Sequence, residues 1–231
     1  MPTIYAHTND GYVNKSDSDW ATARDATTGG GVNSAISASS TAISSTRSAS
    51  RGGGYNYVVS RVFMYFDTSG IEGNVASATL NVRGYIQGGG DVVVVKATSD
   101  ISSLATADFD AIDGWNPAGG RADGSGAGDN IDNVTVYSTG VNGQVTSWST
   151  SGYEEISLTA LALADLRDDD KIYICLLNFD YDLKDVAPTN YTAHRNGVAY
   201  TNYTGTSRDP YIDYTLAPTV TDNSVFFGCN F

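Results

Sequence analysis

Two cysteines in 231 residues, Cys175 and Cys229, are too few for a disulfide framework, and their separation has neither metal-ligand nor redox spacing. Both are expected to be inert thiols that behave as small hydrophobes. Basic residues are also scarce: 13 Lys and Arg face 26 Asp and Glu, a formal charge of −13 with a sequence pI near 4.2. Binding nucleic acid needs the opposite balance, and an anionic leaflet repels this one, so neither nucleic acid nor membrane is expected as a partner. No apolar run approaches the roughly 20 residues of a membrane span. The opening MPTIYAHTND has neither a basic nor an apolar leader region, so no secretory signal is expected. Glutamate is nearly missing. Only Glu72, Glu154 and Glu155 occur, so 23 of the 26 acids (26 − 3) are aspartate. Aspartate suits turns and caps whereas glutamate suits helix interiors, which argues against a helical protein.

What is present is a foldable chain, 41% hydrophobic and 11% aromatic with 25 glycines. YVVSRVFMYFD places Val59, Arg61, Phe63 and Tyr65 on one face and Val58, Val62, Met64 and Phe66 mainly on the other. Both faces are largely apolar, so a central strand covered on two sides is predicted, with Arg61 as the exception. ASATLNVRGYI alternates as a half-buried strand, and GGGDVVVVKAT predicts a hairpin or a loop between neighbouring strands. The Ser/Gly-rich segment 27–54, with sparse Val32, Ile36 and Ile43, reads as an edge strand or ordered loop rather than core. A short helix is predicted within 101–113, and another in SLTALALADLRDDD, where Leu158, Leu161, Ala162 and Leu166 share a face and Ser157 or Thr159 caps it. Further strands are expected at 134–138, around 153–158, in KIYICLLNFDYD, at 198–202 and in DPYIDYTL, where Pro210 opens the strand without losing a ladder bond. The predicted class is all-β, an antiparallel β-sandwich or jelly roll over 1–217 with one or two short helices, an Asp/Gly-rich loop at 113–133 and a C-terminal arm at 218–231.

The stretch SRVFMYFDTSGIEGNVASATLNVRGYI resembles the DNRLRE-type β-sandwich domain. Its hallmark is an apolar strand ending in Phe-Asp (Phe66, Asp67), a short Ser/Ile link (Ser69, Ile71) and Ala-Thr-Leu opening the next strand (Ala78, Thr79, Leu80). NDGYV, ISLTALALADL and DPYIDYTL are looser matches, the DNRLRE string itself is missing, and 106–133 has no counterpart. The resemblance implies a sandwich built like a carbohydrate-binding module, as found in secreted bacterial proteins and in bacteriophage virion proteins. Fold alone does not choose between these uses.

No constellation points to catalysis. His7 and His194 sit in no nucleophile motif, no G-x-S-x-G elbow is present, and the adjacent Glu154 and Glu155 fall on opposite faces of a strand. The chain is therefore expected not to be an enzyme. No cofactor is expected beyond a structural Ca²⁺, for which Asp123, Asp129 and Asp132 are the candidate ligands and Asp168, Asp169 and Asp170 a second set. Neither has the EF-hand order, and solvated acidic loops are the simpler reading. Tyr191, Tyr200 and Tyr203, set among Asn and Thr, together with Trp115, are candidate glycan contacts; packing at the sandwich ends is the simpler reading. The tail carries Val220, Val225, Phe226, Phe227 and Phe231, apolar side chains that either pack on their own domain or form an arm inserted into a neighbouring subunit.

These features lead to a non-enzymatic bacteriophage structural protein, a capsid decoration or tail or fibre subunit made in the host cytoplasm and located in the virion. Its expected partners are the major capsid protein or tail proteins and further copies of itself. The alternatives are an extracellular carbohydrate-binding or adhesin module that recognises surface glycans, and a filament subunit that donates a strand.

Overall fold

The computed structural model describes residues 1–34, 40–51, 53–117, 133–189, 193–199 and 205–218. The expected all-β class is what is found: the described residues form eleven strands, paired antiparallel, accompanied by short helices. One layer runs in the order β1 (Thr3–Tyr5), β11 (Tyr211–Leu216), β6 (Val75–Gln87) and β8 (Tyr153–Ser157). The other is centred on β5 (Tyr55–Asp67). On one side β5 pairs with β2 (Gly11–Asp17), which is edged by β3 (Gly31–Ser34). Its other side is divided between β4 (Ser40–Ala49) and β9 (Lys171–Asn178), and β9 in turn carries β7 (Val92–Lys96). β10 (Ala193–Ala199) pairs with both β4 and the far end of β6, so the hydrogen-bonded ladder passes from one layer to the other.

Alternation along β5 explains the layering. Val62, Met64 and Phe66 face inward with Ile172, Ile174, Leu176, Val92 and Val94, against Ala78, Leu80, Val82, Ile156 and Ile212 of the opposite layer. Val59, Phe63 and Tyr65 face the other way with Val93, Val95, Cys175 and Leu177, forming a second core. That core is roofed by α1 (Trp20–Arg24), by 3₁₀ turns at Ile101–Ser103 and Thr106–Asp110, and by a π-turn at Phe179–Leu183. The molecule is thus a two-layer sandwich with a third layer of short helices and loops. β5 is the doubly covered strand expected of it.

Several expectations need correction. The segment 27–54 supplies β3, an edge strand as expected, but also β4, an interior strand in which Ile43 is fully buried between β10 and β5. Its small side chains do not prevent burial, because neighbouring strands bring the apolar area. Glycines 88–90 make no hairpin. β6 and β7 are not paired, and Gly89 and Gly90, at φ +88° and +87°, lead the chain from one layer to the other. A strand whose faces are both apolar, as in VVVV, has to lie between two cores rather than beside its predecessor. The helix predicted within 101–113 is realised only as the two 3₁₀ turns, and 134–138 makes isolated bridges from Val136 and Ser138 rather than a ladder.

The helix α2 (Ala160–Asp168) is capped by Thr159, whose hydroxyl accepts from Ala162 N at 3.5 Å. It buries Ala162 and Leu166, whereas Leu161 is 59% exposed and Leu163 packs in its place. The inward stripe follows the i, i+1, i+4 spacing of 162, 163 and 166, which turns Leu161 outward. α2 is clamped from beneath, with Lys96 Nζ donating to Asp165 Oδ2 at 2.8 Å and the Tyr137 hydroxyl donating to the same carboxylate. Burial first, and the hydrogen bond to Asp165 next, push the Tyr137 phenol well above its ordinary range.

Candidate functional site

Two places concentrate polar chemistry: the seam between β5 and the third layer, and the outer face of the β1-β11-β6-β8 layer. At the seam Arg61, fully buried, is held by Asp182 from the π-turn. Its Nε donates to Asp182 Oδ2 at 2.8 Å and its Nη2 to Oδ1 at 2.7 Å. It also donates to the carbonyls of Phe109 at 2.7 Å and Arg24 at 3.1 Å. Arg24, equally buried, donates through Nε to the Asp182 carbonyl at 2.7 Å and through Nη1 to Asp25 Oδ1 at 2.6 Å. Trp20 Nε1 donates to Asp185 at 2.8 Å. Both guanidinium groups lie over the ring of Trp115, at 4.6 Å for Arg24 and 4.1 Å for Arg61, and Arg61 also lies over Phe109 at 4.2 Å. Desolvation pushes the Asp25 carboxyl up, against the pull of Arg24. With its guanidiniums held by carboxylates, carbonyls and rings, this seam binds layers together rather than presenting a reactive group.

The outer face follows from register. Tyr5 opposes Tyr211, Tyr211 opposes Asn81, and Asn81 opposes Glu155, one residue from each of β1, β11, β6 and β8. Because side chains alternate along a strand, these residues share one surface while Ile212, Leu80 and Ile156 point into the core. The Tyr211 ring lies 5.8 Å from Tyr5 and 5.0 Å from Tyr153, the latter edge-on. Tyr153 reaches diagonally across Asn81, which is left 3% exposed. The Tyr153 hydroxyl donates to the Asp209 carbonyl at 3.2 Å, and burial followed by the neighbouring Tyr211 pushes its phenol up to about 12.

Asp209 itself is buried, with one carboxylate oxygen lacking a hydrogen-bond partner, and desolvation raises its pKa above the ordinary 3.8. A carboxyl raised in the folded state favours folding while protonated, below its unfolded value, and that contribution is lost as pH rises through the folded value. Asp209→Asn is therefore expected to match the parent melting temperature at about pH 3 and to exceed it at neutral pH, as read by thermal unfolding across that range.

The other predicted residues separate as follows. Trp115 is half-buried and its ring is taken up by the two arginines, so it packs the seam rather than forming a free platform. Tyr191, Tyr200 and Tyr203, the acids Asp123, Asp129 and Asp132, the tail residues Val220, Val225, Phe226, Phe227 and Phe231, and Cys229 all lie outside the described residues. Asp168 ends α2, and Asp169 and Asp170 link it to β9. Arg167 pairs with Asp168, while the carbonyls of Asp169 and Asp170 accept from Thr68. Among the described residues no group of three or more His, Cys, Asp or Glu is placed to hold a metal ion. His7 stacks on Tyr65 at 4.5 Å, and the His194 ring lies tilted against Tyr181 at 4.2 Å. Glu154 accepts from Ser147 Oγ and Ser149 N and Glu155 lies on the outer face, so the pair is divided as strand geometry requires. Cys175 is buried and free, its thiol pushed well up by desolvation.

Sequence reasoning singled out Arg61 but missed Arg24, Asp182 and the trio Tyr5, Tyr153 and Tyr211. An arginine inside an apolar strand does signal that a buried acid must exist, though not which one. Phe66 and Asp67 end β5, the Asp67 carboxylate accepts from Ser69 N at 3.1 Å and Ser69 Oγ at 2.5 Å, and Ala78, Thr79 and Leu80 lie in β6. Compared with known proteins, the chain matches no family model and no curated protein.

Proposed function

We propose that the chain is a non-enzymatic structural subunit of a bacteriophage virion, a capsid decoration or tail or fibre component that works through contacts between subunits. The observation that carries the reading is where the ionisable groups go. Arg24, Arg61 and Asp182, and likewise Lys96 and Asp165, tie layers of the sandwich to one another. A scaffold whose buried charges tie its layers to one another suits a protein that acts by surface contact. The DNRLRE-like sequence of strands β5 and β6 supports the same class of use, and the apolar tail sequence supports assembly.

Light scattering coupled to size exclusion tests assembly. The full chain is expected to run as an oligomer of its 24.3 kDa protomer, and deletion of residues 220–231 is expected to return it to monomer. A full chain that stays monomeric at every concentration overturns the reading. Flanking genes give an independent check, since capsid or portal genes support a virion origin and a reading frame fused to a carbohydrate-active enzyme opposes it.

A further inference from the structure

Five prolines occur in the chain, and only Pro210 follows an aspartate. The bond between Asp209 and Pro210 is a tertiary amide, and an aspartate side chain has the length to close a five-membered ring on its own carbonyl carbon. The fold arranges three things around this bond. Asp209 is 8% exposed and its Oδ1 has no hydrogen-bond partner, so the atom that would attack is neither solvated nor tied down. The Tyr153 hydroxyl donates at 3.2 Å to the Asp209 carbonyl oxygen, where negative charge gathers once that carbon is attacked. The backbone is pinned on both sides: Asp209 N donates to the Thr206 carbonyl at 3.4 Å, and the Pro210 carbonyl accepts from Ala6 N at 2.8 Å. Nucleophile, polarised carbonyl and leaving nitrogen are thus held together, the circumstance in which an intramolecular reaction gains most. No ligand has to enter, so burial of the carboxyl favours the step rather than blocking it.

We propose that the folded chain cuts itself once between Asp209 and Pro210, with Asp209 as nucleophile and proton donor and the Tyr153 hydroxyl stabilising the oxyanion. Asp209 Oδ1 adds to the Asp209 carbonyl carbon, the C–N bond breaks with its electron pair left on nitrogen, and the carboxyl proton passes to the Pro210 nitrogen. The cyclic anhydride left on Asp209 takes up one water, restoring the side-chain carboxyl and leaving a new terminal one. Residues 205–208 are exposed, so that water comes from solvent. Desolvation holds the proton on Asp209 to a higher pH than usual, which keeps it at hand for the leaving nitrogen. The charged and titratable groups around the bond are Arg208 beside it in the chain, Tyr153 on β8, Tyr211 on β11, and Arg83 on β6, 6.0 Å from the Tyr153 ring. β11 is laddered to β1 on one side and to β6 on the other, so the C-terminal piece stays seated after the cut. The step goes beyond the structural role: a subunit that acts by contact would also mature by a single self-cleavage, after which β11 and everything that follows it are joined to the rest only through the sheet.

Incubation of the full chain with protease inhibitors at about pH 5, followed by denaturing electrophoresis and intact-mass measurement over days, tests the step. Two pieces are expected, 1–209 and 210–231, their masses summing to the 24.3 kDa chain plus one water and the smaller beginning at Pro210. Asp209→Asn, which the charge argument above makes no less stable than the parent, is expected to slow the cut about a hundredfold. Tyr153→Phe, which keeps the ring beside Tyr211, is expected to slow it about tenfold. In urea at the same pH the parent is expected to be cut about tenfold more slowly, because only the fold supplies the hydroxyl and the fixed geometry. A chain that stays whole overturns the proposal. Cutting as fast in Asp209→Asn as in the parent points to an outside protease and overturns it; cutting as fast in urea as in the folded chain reduces it to the lability of the dipeptide and likewise overturns it. An unchanged rate in Tyr153→Phe overturns the role given to its hydroxyl.

Discussion

Asp182→Ala is expected to destabilise the fold by about 3–5 kcal/mol, the cost of leaving a buried guanidinium without its counter-charge. For a chain of this length each kcal/mol moves the melting midpoint by about 2–4 °C, so a fall of roughly 6–20 °C is expected in thermal unfolding followed by near-UV circular dichroism. The size of the effect follows from how much converges on one side chain. Asp182 takes both hydrogen bonds of a bidentate pair with Arg61, and both residues are fully buried. Without it, Arg61 keeps only its bonds to the Phe109 and Arg24 carbonyls, with no anion to offset its desolvation. The double variant Arg61→Met with Asp182→Leu is expected to recover part of the loss, since no charge is then stranded; the two carbonyls that lose their donor keep it below the parent. The damage should be local first. The third layer meets β5 through this seam, so hydrogen exchange in Asp182→Ala is expected to quicken in 20–24 and 101–113 before the β5–β9 ladder opens. A midpoint within about 2 °C of the parent would mean that the ion pair contributes little beyond what the apolar roof supplies.

The seam also marks the limit of what the sequence discloses. A strand with two apolar faces was legible as a doubly covered strand with Arg61 as its exception, and β5 is that strand, with Arg61 buried in it. The partner was not legible, because Asp182 is one of 23 aspartates and lies 121 residues from Arg61. Local patterns carried what local physics decides: the Asp67–Ser69 turn, the Thr159 cap and the division of Glu154 from Glu155. They failed where tertiary pairing decides. Ile43 is buried by β10 and β5, not by its Ser-rich neighbours, and the chain leaves β6 for a different layer at 88–90 although three glycines before a β-branched run look like a hairpin. The tyrosine face shows the same division. Tyr211, Asp213 and Thr215 alternate visibly, yet their meeting with Tyr5 and Tyr153 depends on the registers of β1 with β11 and of β6 with both β11 and β8, which no single strand encodes.

Gly84→Ala is expected to cost about 3 kcal/mol or more, above the usual range for inserting a methyl into a packed core, because the atoms in the way are backbone. Gly84 stands where β6 leaves its partnership with β11 and β8 and begins pairing with β10 at Val198. There the 146–152 link crosses it closely. Gly84 N donates to the Gly152 carbonyl at 3.2 Å, and a Cβ built on Gly84 would lie 1.9 Å from the Ser149 carbonyl oxygen and 3.1 Å from Trp148 Nε1. No rotamer change relieves such a contact, so the link must lift. Lifting it strains the bond from Trp148 Nε1 to the Gly197 carbonyl at 3.0 Å and the Ser149 N–H held by Glu154. Trp148 is 5% exposed, so a red shift of tryptophan emission is expected alongside the lower melting midpoint. Gly70→Ala is the matched control. Its Cβ meets nothing within 4 Å, and its effect should stay within about 0.5 kcal/mol. Equal midpoints for the two variants would show that the link yields freely and that the crossing at Gly84 places no constraint on how the two layers are joined.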